Sequence, residues 1–318
     1  MTTSGSIDFN NTRNEIIHDA FFKLNVYGAD EVVSAEDSQY ASRVLNRMIK
    51  SWQAQELHLW KKQTAYLFIQ NGQYEYSLKS TSTDHATLSY VETTFSADEA
   101  IGQTTLTVTS SSGMTAGDYI GLENEDGYLQ WSTIDSITDA TTIVVDDALT
   151  TACEDGAKIY AYTTKLTEPF NVYSAVRESE DGIDTPMNYL SYEGYFVLPN
   201  KLSSGTPVSY TYDRQLYDGK IRIWPVPNNV DYIMKLALAL KIEDFDSATN
   251  TPDFPQEWLD AIVCNLALKL APDYGKAAGD NYQVIMSQSQ DALLIASQFD
   301  SEQGSLYISP DYIGSDHY

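Results

Sequence analysis

The segment from residue 244 to residue 275 constrains the fold most, because it predicts a helix that is apolar on nearly every side. Pro255 suits the first turn of a helix, where its missing N–H costs nothing, and Pro272 and Gly275 stop the helix. The apolar positions on its two faces are Trp258, Ile262 and Leu266, and Leu259, Val263 and Leu270. A helix with so little polar surface is buried, so its neighbours must come from elsewhere in the chain or from another copy.

Two further helices are predicted near the N-terminus. Thr12 and Glu15 have capping-box spacing at the start of the first helix, and Gly28 ends it. Ser34 with Asp37 opens the second helix. The apolar stripes are Ile16, Ile17, Ala20, Phe21 and Leu24 in the first, and Ala41, Val44, Leu45, Met48, Ile49 and Trp52 in the second. Helices are therefore predicted towards both ends of the chain, with a β-rich middle between them.

The middle of the chain has the alternating pattern of strands. Asn71-Gly72 between two aromatic-rich runs predicts a β-hairpin over residues 64–78. Between residues 104 and 163, short apolar runs alternate with Gly, Asp and Asn turns, which predicts a small antiparallel sandwich or barrel. Its two ends, near Asp84 and Thr164, are expected to lie close together. A third β segment is predicted over residues 208–242.

The net charge of −26 is unevenly placed along the chain. Residues 80–157 contain no Lys or Arg but carry 14 Asp and Glu residues, whereas residues 1–79 are nearly balanced. A protein that grips duplex DNA needs basic residues at phosphate spacing, so this segment is not expected to do so. Its acidic surface could line a conduit that repels DNA, or it could be an acidic exterior without functional meaning.

The sequence offers no constellation for catalysis, for a cofactor or for a metal. The four histidines are dispersed, and Cys153 and Cys264 have no nearby cysteine and are expected to be buried thiols. The run from Glu123 to Gly127 lacks the distal Glu of a calcium loop, so an exposed hairpin turn is the favoured interpretation. Motifs for phosphate cradles and for a nucleophile elbow are absent from the sequence.

Aromatic and apolar residues are frequent even in the acidic C-terminal segment, residues 300–318. This segment follows an amphipathic helix, contains no Lys or Arg, and keeps apolar anchors. The anchors are Leu306, Tyr307, Ile308, Tyr312 and Ile313. So short a peptide cannot form its own core, so it is expected to be either frayed or docked on a partner.

Several short stretches occur along the chain in an order that points to one family. They are the first helix with its Val26-Tyr27-Gly28 exit, Leu45 to Trp52, Gly72-Gln73-Tyr74 to Leu78, Pro199-Asn200-Lys201, Tyr212-Asp213-Arg214, Trp224-Pro225 and residues 254–275. In this order and spacing they resemble the head-to-tail adaptor proteins of short-tailed phages, also called tail-accessory or packaged-DNA stabilisation proteins. The resemblance covers residues 8–80 and 164–300, and leaves residues 84–163 as an apparent insertion.

The resemblance implies an α+β fold. Helices from both termini would form an α-helical adaptor core, and this core would carry β-hairpins and an inserted antiparallel β-sandwich or barrel. The implied domains are residues 1–83 and 164–299 for the two parts of the core, 84–163 for the inserted domain and 300–318 for an extended tail.

The resemblance also implies a function. The protein would be a non-enzymatic virion component that forms a ring of twelve subunits beneath the portal, closes the DNA-filled head and offers a surface to the next tail component, a tube or a nozzle. Genomic DNA would pass through the lumen without sequence-specific binding. Because the C-terminal region contacts the portal in that family, the predicted portal-binding residues are Leu306, Tyr307, Ile308, Tyr312 and Ile313.

The sequence is also compatible with two other functions, and it bears on the cellular location. By fold analogy, the inserted β domain also suits a carbohydrate-binding or host-recognition module of a tail protein. Exposed aromatic rings clustered on one face of that domain would favour it. A glycosidase with paired carboxylates is the third alternative. No apolar run approaches the roughly 20 residues of a membrane span, and no signal segment is evident, so assembly in the host cytoplasm is expected.

Overall fold

The computed structural model describes residues 5, 7, 9–55, 59–216 and 218–299. The chain divides into two compact units, one formed by the residues up to Trp60 and from Ile242 onward, the other by Lys61–Lys241. The helices are α1 (Arg13–Lys23), α2 (Ala35–Gln53), α3 (Tyr192–Phe196), α4 (Leu259–Leu270) and α5 (Asp280–Phe299). The strands are β1 (Lys62–Phe68), β2 (Glu75–Ser77), β3 (Ala86–Thr87), β4 (Val91–Thr94), β5 (Thr105–Thr107), β6 (Tyr119–Glu123), β7 (Leu129–Asp139), β8 (Thr142–Val145), β9 (Lys158–Tyr162), β10 (Asn171–Ser179), β11 (Asp184–Pro186), β12 (Asn188–Tyr189), β13 (Ser209–Arg214), β14 (Gly219–Trp224) and β15 (Tyr232–Ala239).

The helix starts predicted for α1 and α2 are confirmed. Thr12 N–H donates to the Glu15 carboxylate at 2.7 Å, and Glu15 N–H donates to Thr12 Oγ1 at 3.4 Å, which completes the capping box. Ser34 Oγ accepts from Asp37 N–H at 3.1 Å at the start of α2. These side chains satisfy backbone donors that have no partner within the helix.

The apolar helix predicted over residues 255–271 is also confirmed. It opens with a short 3₁₀ turn at Gln256–Trp258 and continues as α4, whose residues are buried on most sides. The Trp258 ring is fully buried and packs against the rings of Trp52 and Trp60, with centroids 5.5 and 5.3 Å away. Helices α1, α2 and α5 complete this cluster, so α4 is the centre of the first unit.

Asp37 links three segments of the first unit. Its carboxylate accepts hydrogen bonds from the hydroxyls of Tyr27, Tyr274 and Ser34, at 2.5, 2.6 and 2.7 Å. These bonds stabilise the charged form, Tyr27 contributing most, and hold the pKa of Asp37 below its ordinary value. The carboxylate therefore connects the exit of α1, the start of α2 and the turn after α4.

The second unit contains three sheets. The five-stranded sheet has the order β11-β10-β15-β1-β3, the four-stranded sheet β12-β13-β14-β2, and the six-stranded sheet β4-β9-β6-β7-β8-β5. The five- and four-stranded sheets enclose one apolar cluster, which includes Leu67 and Leu236 from one sheet and Ile221 and Ile223 from the other. The third β segment predicted over residues 208–242 is confirmed as strands β13, β14 and β15, and β13 pairs antiparallel with β14, with Arg214 opposite Gly219.

The six-stranded sheet is antiparallel throughout and curls into a half-barrel. A bridge between Phe95 and Val108 joins the ends of β4 and β5, the first and last strands of the sheet. The half-barrel encloses its own apolar cluster, centred on Ile120, Leu122 and Ile159. The predicted strand runs and antiparallel pairing of this segment are confirmed, whereas the domain boundaries stay predictions.

An aromatic cluster joins the half-barrel to the five-stranded sheet. The ring of Phe68 in β1 packs on Tyr160 and Tyr162 of β9 and on Trp131 of β7, with centroids 5.1, 5.9 and 5.2 Å away. Gly121 lies opposite Trp131 in the β6–β7 pair, and a Cβ at Gly121 would come within 2.8 Å of the indole. The absence of a side chain at Gly121 therefore makes room for the Trp131 ring.

The predicted fold class was wrong. The described residues form fifteen strands in three sheets and only five helices, so the molecule is mostly β and is not built on an α-helical adaptor core. Of the four buried apolar clusters that the described residues form, one is enclosed by helices and three lie within or between sheets. The strands bury their apolar faces against one another, so they do not depend on a helical core.

The hairpin predicted around Asn71-Gly72 was wrong as well. Gly72 does adopt a positive φ of 77° in a tight turn. However, β1 pairs with β15 and β3, whereas β2 pairs with β14 in the opposite sheet. The two strands belong to different sheets, and Leu67 and Tyr76 both lie in the apolar cluster between these sheets, where both are more fully buried than in a two-stranded hairpin.

Candidate functional site

The predicted portal-binding residues lie outside the described part of the chain. They are Leu306, Tyr307, Ile308, Tyr312 and Ile313. The last described residue before them, Phe299, ends α5 and is exposed. The candidate sites that the structure does show are two apolar surfaces, one acidic cluster and one buried histidine.

The first apolar surface lies around α3 in the second unit. We call it the aromatic surface, and its members are Tyr189, Tyr192, Phe196, Val197 and Leu202. Phe196 and Val197 are 70% and 74% exposed, and the other three are exposed by more than half. Monomeric proteins seldom leave so many large apolar side chains together in water, so such a group marks a contact surface.

Local structure explains why these residues point outward. Ser191 Oγ accepts from Gly194 N–H at 3.0 Å and starts α3, a helix of only five residues. Tyr192 and Phe196 are four residues apart and share the outer face, while Tyr195 turns inward and is buried. One helical turn has one inner face, so the consecutive apolar residues at positions 195–198 cannot all be covered.

A lysine lies within the aromatic surface. Lys201 Nζ donates to the carbonyls of Phe196 and Leu198, at 2.7 and 3.2 Å, and lies 5.5 Å from the Phe196 ring centroid. Within the described residues, no carboxylate is in ion-pair range of Lys201. Most other cations of the second unit are paired, as with Lys220 and Arg222 on Glu75. The exposed Glu193, in the same short helix, gives the aromatic surface a negative charge as well.

The second apolar surface lies on α5 in the first unit. One face of α5 packs on α4 through Ile285, Ser289, Ala292 and Ala296. Beside this packed face, α5 carries what we call the outer stripe of α5, consisting of Asp291, Leu294, Ile295 and Phe299. Ile295 and Phe299 are 65% and 61% exposed. Because α5 contains no Lys or Arg, the outer stripe is apolar and acidic.

Three carboxylates from distant segments form an acidic cluster in the second unit. One carboxylate oxygen from each of Glu123, Glu180 and Asp231 lies within 4.8 Å of the others. Burial, Asp231 and Glu123 raise the pKa of Glu180, while Lys158 opposes the shift. Carboxylate oxygens suit calcium, but calcium takes about six to eight oxygen ligands, of which these three residues supply a part.

Glu123 of the acidic cluster also begins the run from Glu123 to Gly127, for which an exposed hairpin turn was the favoured interpretation. This run forms the turn between β6 and β7, where Asn124 Oδ1 accepts from Tyr128 N–H at 3.0 Å and Gly127 has a φ of 71°. The interpretation as a hairpin turn is confirmed. Glu180 and Asp231 reach Glu123 from far along the chain, which no local motif could reveal.

His85 is a buried ionisable group that the sequence did not single out. Its ring stacks on Trp131 with centroids 3.7 Å apart and planes 6° from parallel, and its Nδ1 lies 2.6 Å from Tyr162 Oη. Burial, assisted by the charge of Lys165, lowers the pKa of His85 from 6.5 to about 3. His85 is therefore neutral at physiological pH, and it holds the segment before β3 against the half-barrel.

The half-barrel lacks the aromatic platform that glycan binding would use. Across residues 84–163, all of which the structure describes, Tyr128 is the one exposed large aromatic residue. Phe95 lies in the core of the half-barrel, and the remaining rings, including Trp131 and Tyr160, pack in the aromatic cluster with Phe68. This distribution opposes the carbohydrate-binding alternative, because stacking on a sugar needs exposed rings.

Comparison with known proteins gives no family: neither a protein-family model nor a curated protein matches the sequence. The resemblance to the head-to-tail adaptors therefore stays a prediction. Among the described residues, no helix is both long and apolar enough to cross a membrane. The arrangement offers two exposed apolar surfaces and a cluster of three carboxylates.

The aromatic surface was not among the predicted sites. Its signal is visible in the sequence, since YLSYEGYFVLPNKL, residues 189–202, places apolar residues at a density that suits neither a one-sided helix nor an alternating strand. The Pro199-Asn200-Lys201 turn within it contributes to the family resemblance and carries no signal of exposure by itself. Apolar density without a period is therefore the signal that could have identified a contact surface here.

Proposed function

We propose that this chain is a head-to-tail adaptor of a short-tailed phage. In this role it assembles as a ring, with twelve subunits as the resemblance implies, beneath the portal in the virion. The ring closes the DNA-filled head and presents an attachment surface to the next tail component, a tube or a nozzle. The protein acts by forming interfaces and not by catalysing a reaction.

The observation that carries the proposal is the pair of exposed apolar surfaces. The aromatic surface and the outer stripe of α5 lie on different units and differ in composition, since the first carries Lys201 and Glu193 and the second carries Asp291. A ring whose subunits join head to tail needs two different contact patches on every subunit. Two unlike patches on one chain support this kind of assembly better than they support a monomeric protein.

The charge distribution supports a passive relation to DNA. Residues 80–157, which carry 14 acidic and no basic side chains, form the half-barrel and the segment leading into it. Such a segment repels a phosphate backbone over a screening length of about 8 Å at physiological salt. Genomic DNA would therefore pass through the ring without sequence-specific contact.

The test of the proposal is reconstitution with the portal protein of the same phage. Purified chain is mixed with purified portal, the product is imaged by electron microscopy, and the number of bound copies is measured by native mass spectrometry. The proposal expects a closed ring on one face of the portal. One or a few copies per portal, or no binding, would reject the ring.

A truncation tests the predicted portal-binding residues separately. Ending the chain after Gln303 removes Leu306, Tyr307, Ile308, Tyr312 and Ile313. Each buried anchor contributes about 1.5–3 kcal/mol before the entropy of ordering is subtracted, so losing several should abolish capture by immobilised portal. The matched control keeps the length and replaces the acidic residues Asp311 and Asp316 by Asn. Unchanged capture by the folded truncated protein would place portal recognition elsewhere.

A further inference from the structure

The segment that contains α3 has few buried contacts with the rest of the second unit. Of residues 191–199, which we call the flap, only Tyr195 is buried. The bonds that fix the two ends of the flap run from Leu190 N–H to the Tyr210 carbonyl, at 2.7 Å, and from Trp224 Nε1 to the Asn200 carbonyl, at 2.9 Å. A segment with so few buried apolar contacts belongs to the part of a structure that opens most easily.

The flap lies on the outer face of the four-stranded sheet. Tyr210 and Tyr212 of β13 point into the apolar cluster between the sheets, so Thr211 between them points to the opposite face, on which α3 packs. Thr211 lies opposite Arg222 of β14, and the guanidinium carbon of Arg222 lies 5.9 Å from the centre of the Tyr195 ring. Tyr195 and Thr211 are therefore both neighbours of Arg222 beneath the flap.

The closed flap encloses two hydroxyl groups that have no partners. Thr211 is fully buried and Tyr195 is 6% exposed. Neither Thr211 Oγ1 nor Tyr195 Oη has a hydrogen-bond partner among the described residues. A buried hydroxyl without a partner destabilises the arrangement that encloses it. On the outside, Tyr192, Phe196 and Val197 face water although burial would stabilise them. The closed flap thus buries polar groups and exposes apolar side chains.

We propose that the flap opens as a unit from the four-stranded sheet while the sheet stays folded. Opening gives both hydroxyls access to water, and it lets the rings that the flap carries change direction. One buried ring, that of Tyr195, holds the closed flap on the sheet, so opening needs less free energy than unfolding of the second unit. The aromatic surface is then an adaptable surface, which changes shape when a partner binds.

Hydrogen exchange of the full chain, followed by NMR at neutral pH, tests the opening. The flap is reported by the amides of Tyr195 and Val197, which donate to the carbonyls of Ser191 and Glu193. After correction for intrinsic rates, these amides should exchange at least about 100-fold faster than the paired amides of β13 and β14, because the sheet amides exchange only when the sheet itself opens.

Two substitutions test the reason for the opening. Tyr195→Phe and Thr211→Val each remove one unpartnered hydroxyl and keep the shape of the side chain, so each should slow exchange of the flap about fivefold or more. Tyr192→Phe, three residues away in α3, removes the hydroxyl of a side chain that is 60% exposed, so it should leave exchange unchanged. The amides of β13 and β14 report in the same measurement whether each variant is folded.

The possible outcomes decide the proposal. Fast exchange of the flap that Tyr195→Phe or Thr211→Val slows, with Tyr192→Phe at the native rate, supports it. Equal protection of the flap and the sheet overturns it, because the flap would then open only together with the sheet. Native or faster exchange in both variants also overturns it, since the two hydroxyls would then have partners such as bound water beneath the closed flap. The portal takes no part in the experiment, so the result is independent of the proposed function.

Discussion

Lowering the pH should destabilise the second unit because of His85. The folded unit holds this histidine neutral, because its ring is enclosed between Trp131, Tyr162 and the segment before β3. Its pKa is about 3 in the folded unit and 6.5 when the ring is exposed. Between these values the unfolded chain binds a proton that the folded chain does not, so stability falls as pH falls below 6.5 and is fully present above it.

The size of the effect follows from that difference. Each pH unit between 6.5 and 3 lowers the free energy of unfolding by about 1.4 kcal/mol, so the decrease between pH 7 and pH 5 is about 2 kcal/mol. His85→Phe keeps a flat ring against Trp131 but cannot take up a proton. It also leaves Tyr162 Oη without its partner, which costs about 1–3 kcal/mol at every pH and does not alter the slope.

The assay is urea unfolding followed by circular dichroism at pH 7, 6 and 5. The native chain should lose about 2 kcal/mol more between pH 7 and pH 5 than His85→Phe does. His18→Phe, the same change at a half-buried histidine of α1, should keep the native pH dependence of the second unit. Equal slopes for native and His85→Phe would refute the reasoning, because they would mean that His85 is protonated in the folded unit or already shielded in the unfolded chain.

Two further predictions concern single side chains. Gly121→Ala is expected to cost about 1–3 kcal/mol of unfolding free energy, because a Cβ there meets the Trp131 ring at 2.8 Å; Gly28→Ala, whose nearest atom would be 3.9 Å away, serves as the control. Asp37→Asn is expected to lower stability by roughly 2 kcal/mol at neutral pH, because two tyrosine hydroxyls lose a charged acceptor. Since the pKa of Asp37 is depressed in the folded unit, this difference should shrink as pH falls through that pKa, and a difference that persists in acid would contradict it.

The elements that the sequence predicted well are those whose signals are local. A capping box needs two residues three positions apart, and Thr12 with Glu15 supplied it. In α2 and in the nearly all-apolar α4, the helical spacing of apolar residues is visible within a few turns of sequence. The half-barrel strands were found because turn residues separate them at short intervals. In each case the deciding interaction lies within about ten residues along the chain.

The elements that the sequence predicted badly are determined by contacts between residues that are far apart along the chain. Tyr66 and Phe68 face the aromatic cluster, whereas Ala65 and Leu67 on the same strand face the cluster between the sheets. Because β1 is buried on both faces, it has apolar residues at successive positions. This pattern does not reveal that the next strand, which contains Tyr76, belongs to another sheet. Likewise, Glu123, Glu180 and Asp231 meet only because β6, the β10–β11 turn and β15 lie together.

The two faces of β1 make the half-barrel difficult to remove. Val91 and Ala161 are paired neighbours in β4 and β9, so a short Gly/Ser linker could replace residues 91–162 without stretching the chain. The replacement would nevertheless expose Phe68 and Ile233, which the half-barrel covers in the native unit. Exposing two such side chains costs about 3–6 kcal/mol.

The deletion variant should therefore unfold at a lower urea concentration than the second unit of the full chain. Adding Phe68→Thr and Ile233→Thr to the deletion variant should recover part of the lost stability, whereas the same two substitutions should destabilise the full chain. The change in unfolding free energy should therefore have opposite signs in the two proteins. In the full chain the two substitutions remove buried contacts, whereas in the deletion variant they remove exposed apolar surface. A deletion with the native midpoint would show that the aromatic cluster contributes no stability. The half-barrel would then be an independent domain carried on the five-stranded sheet.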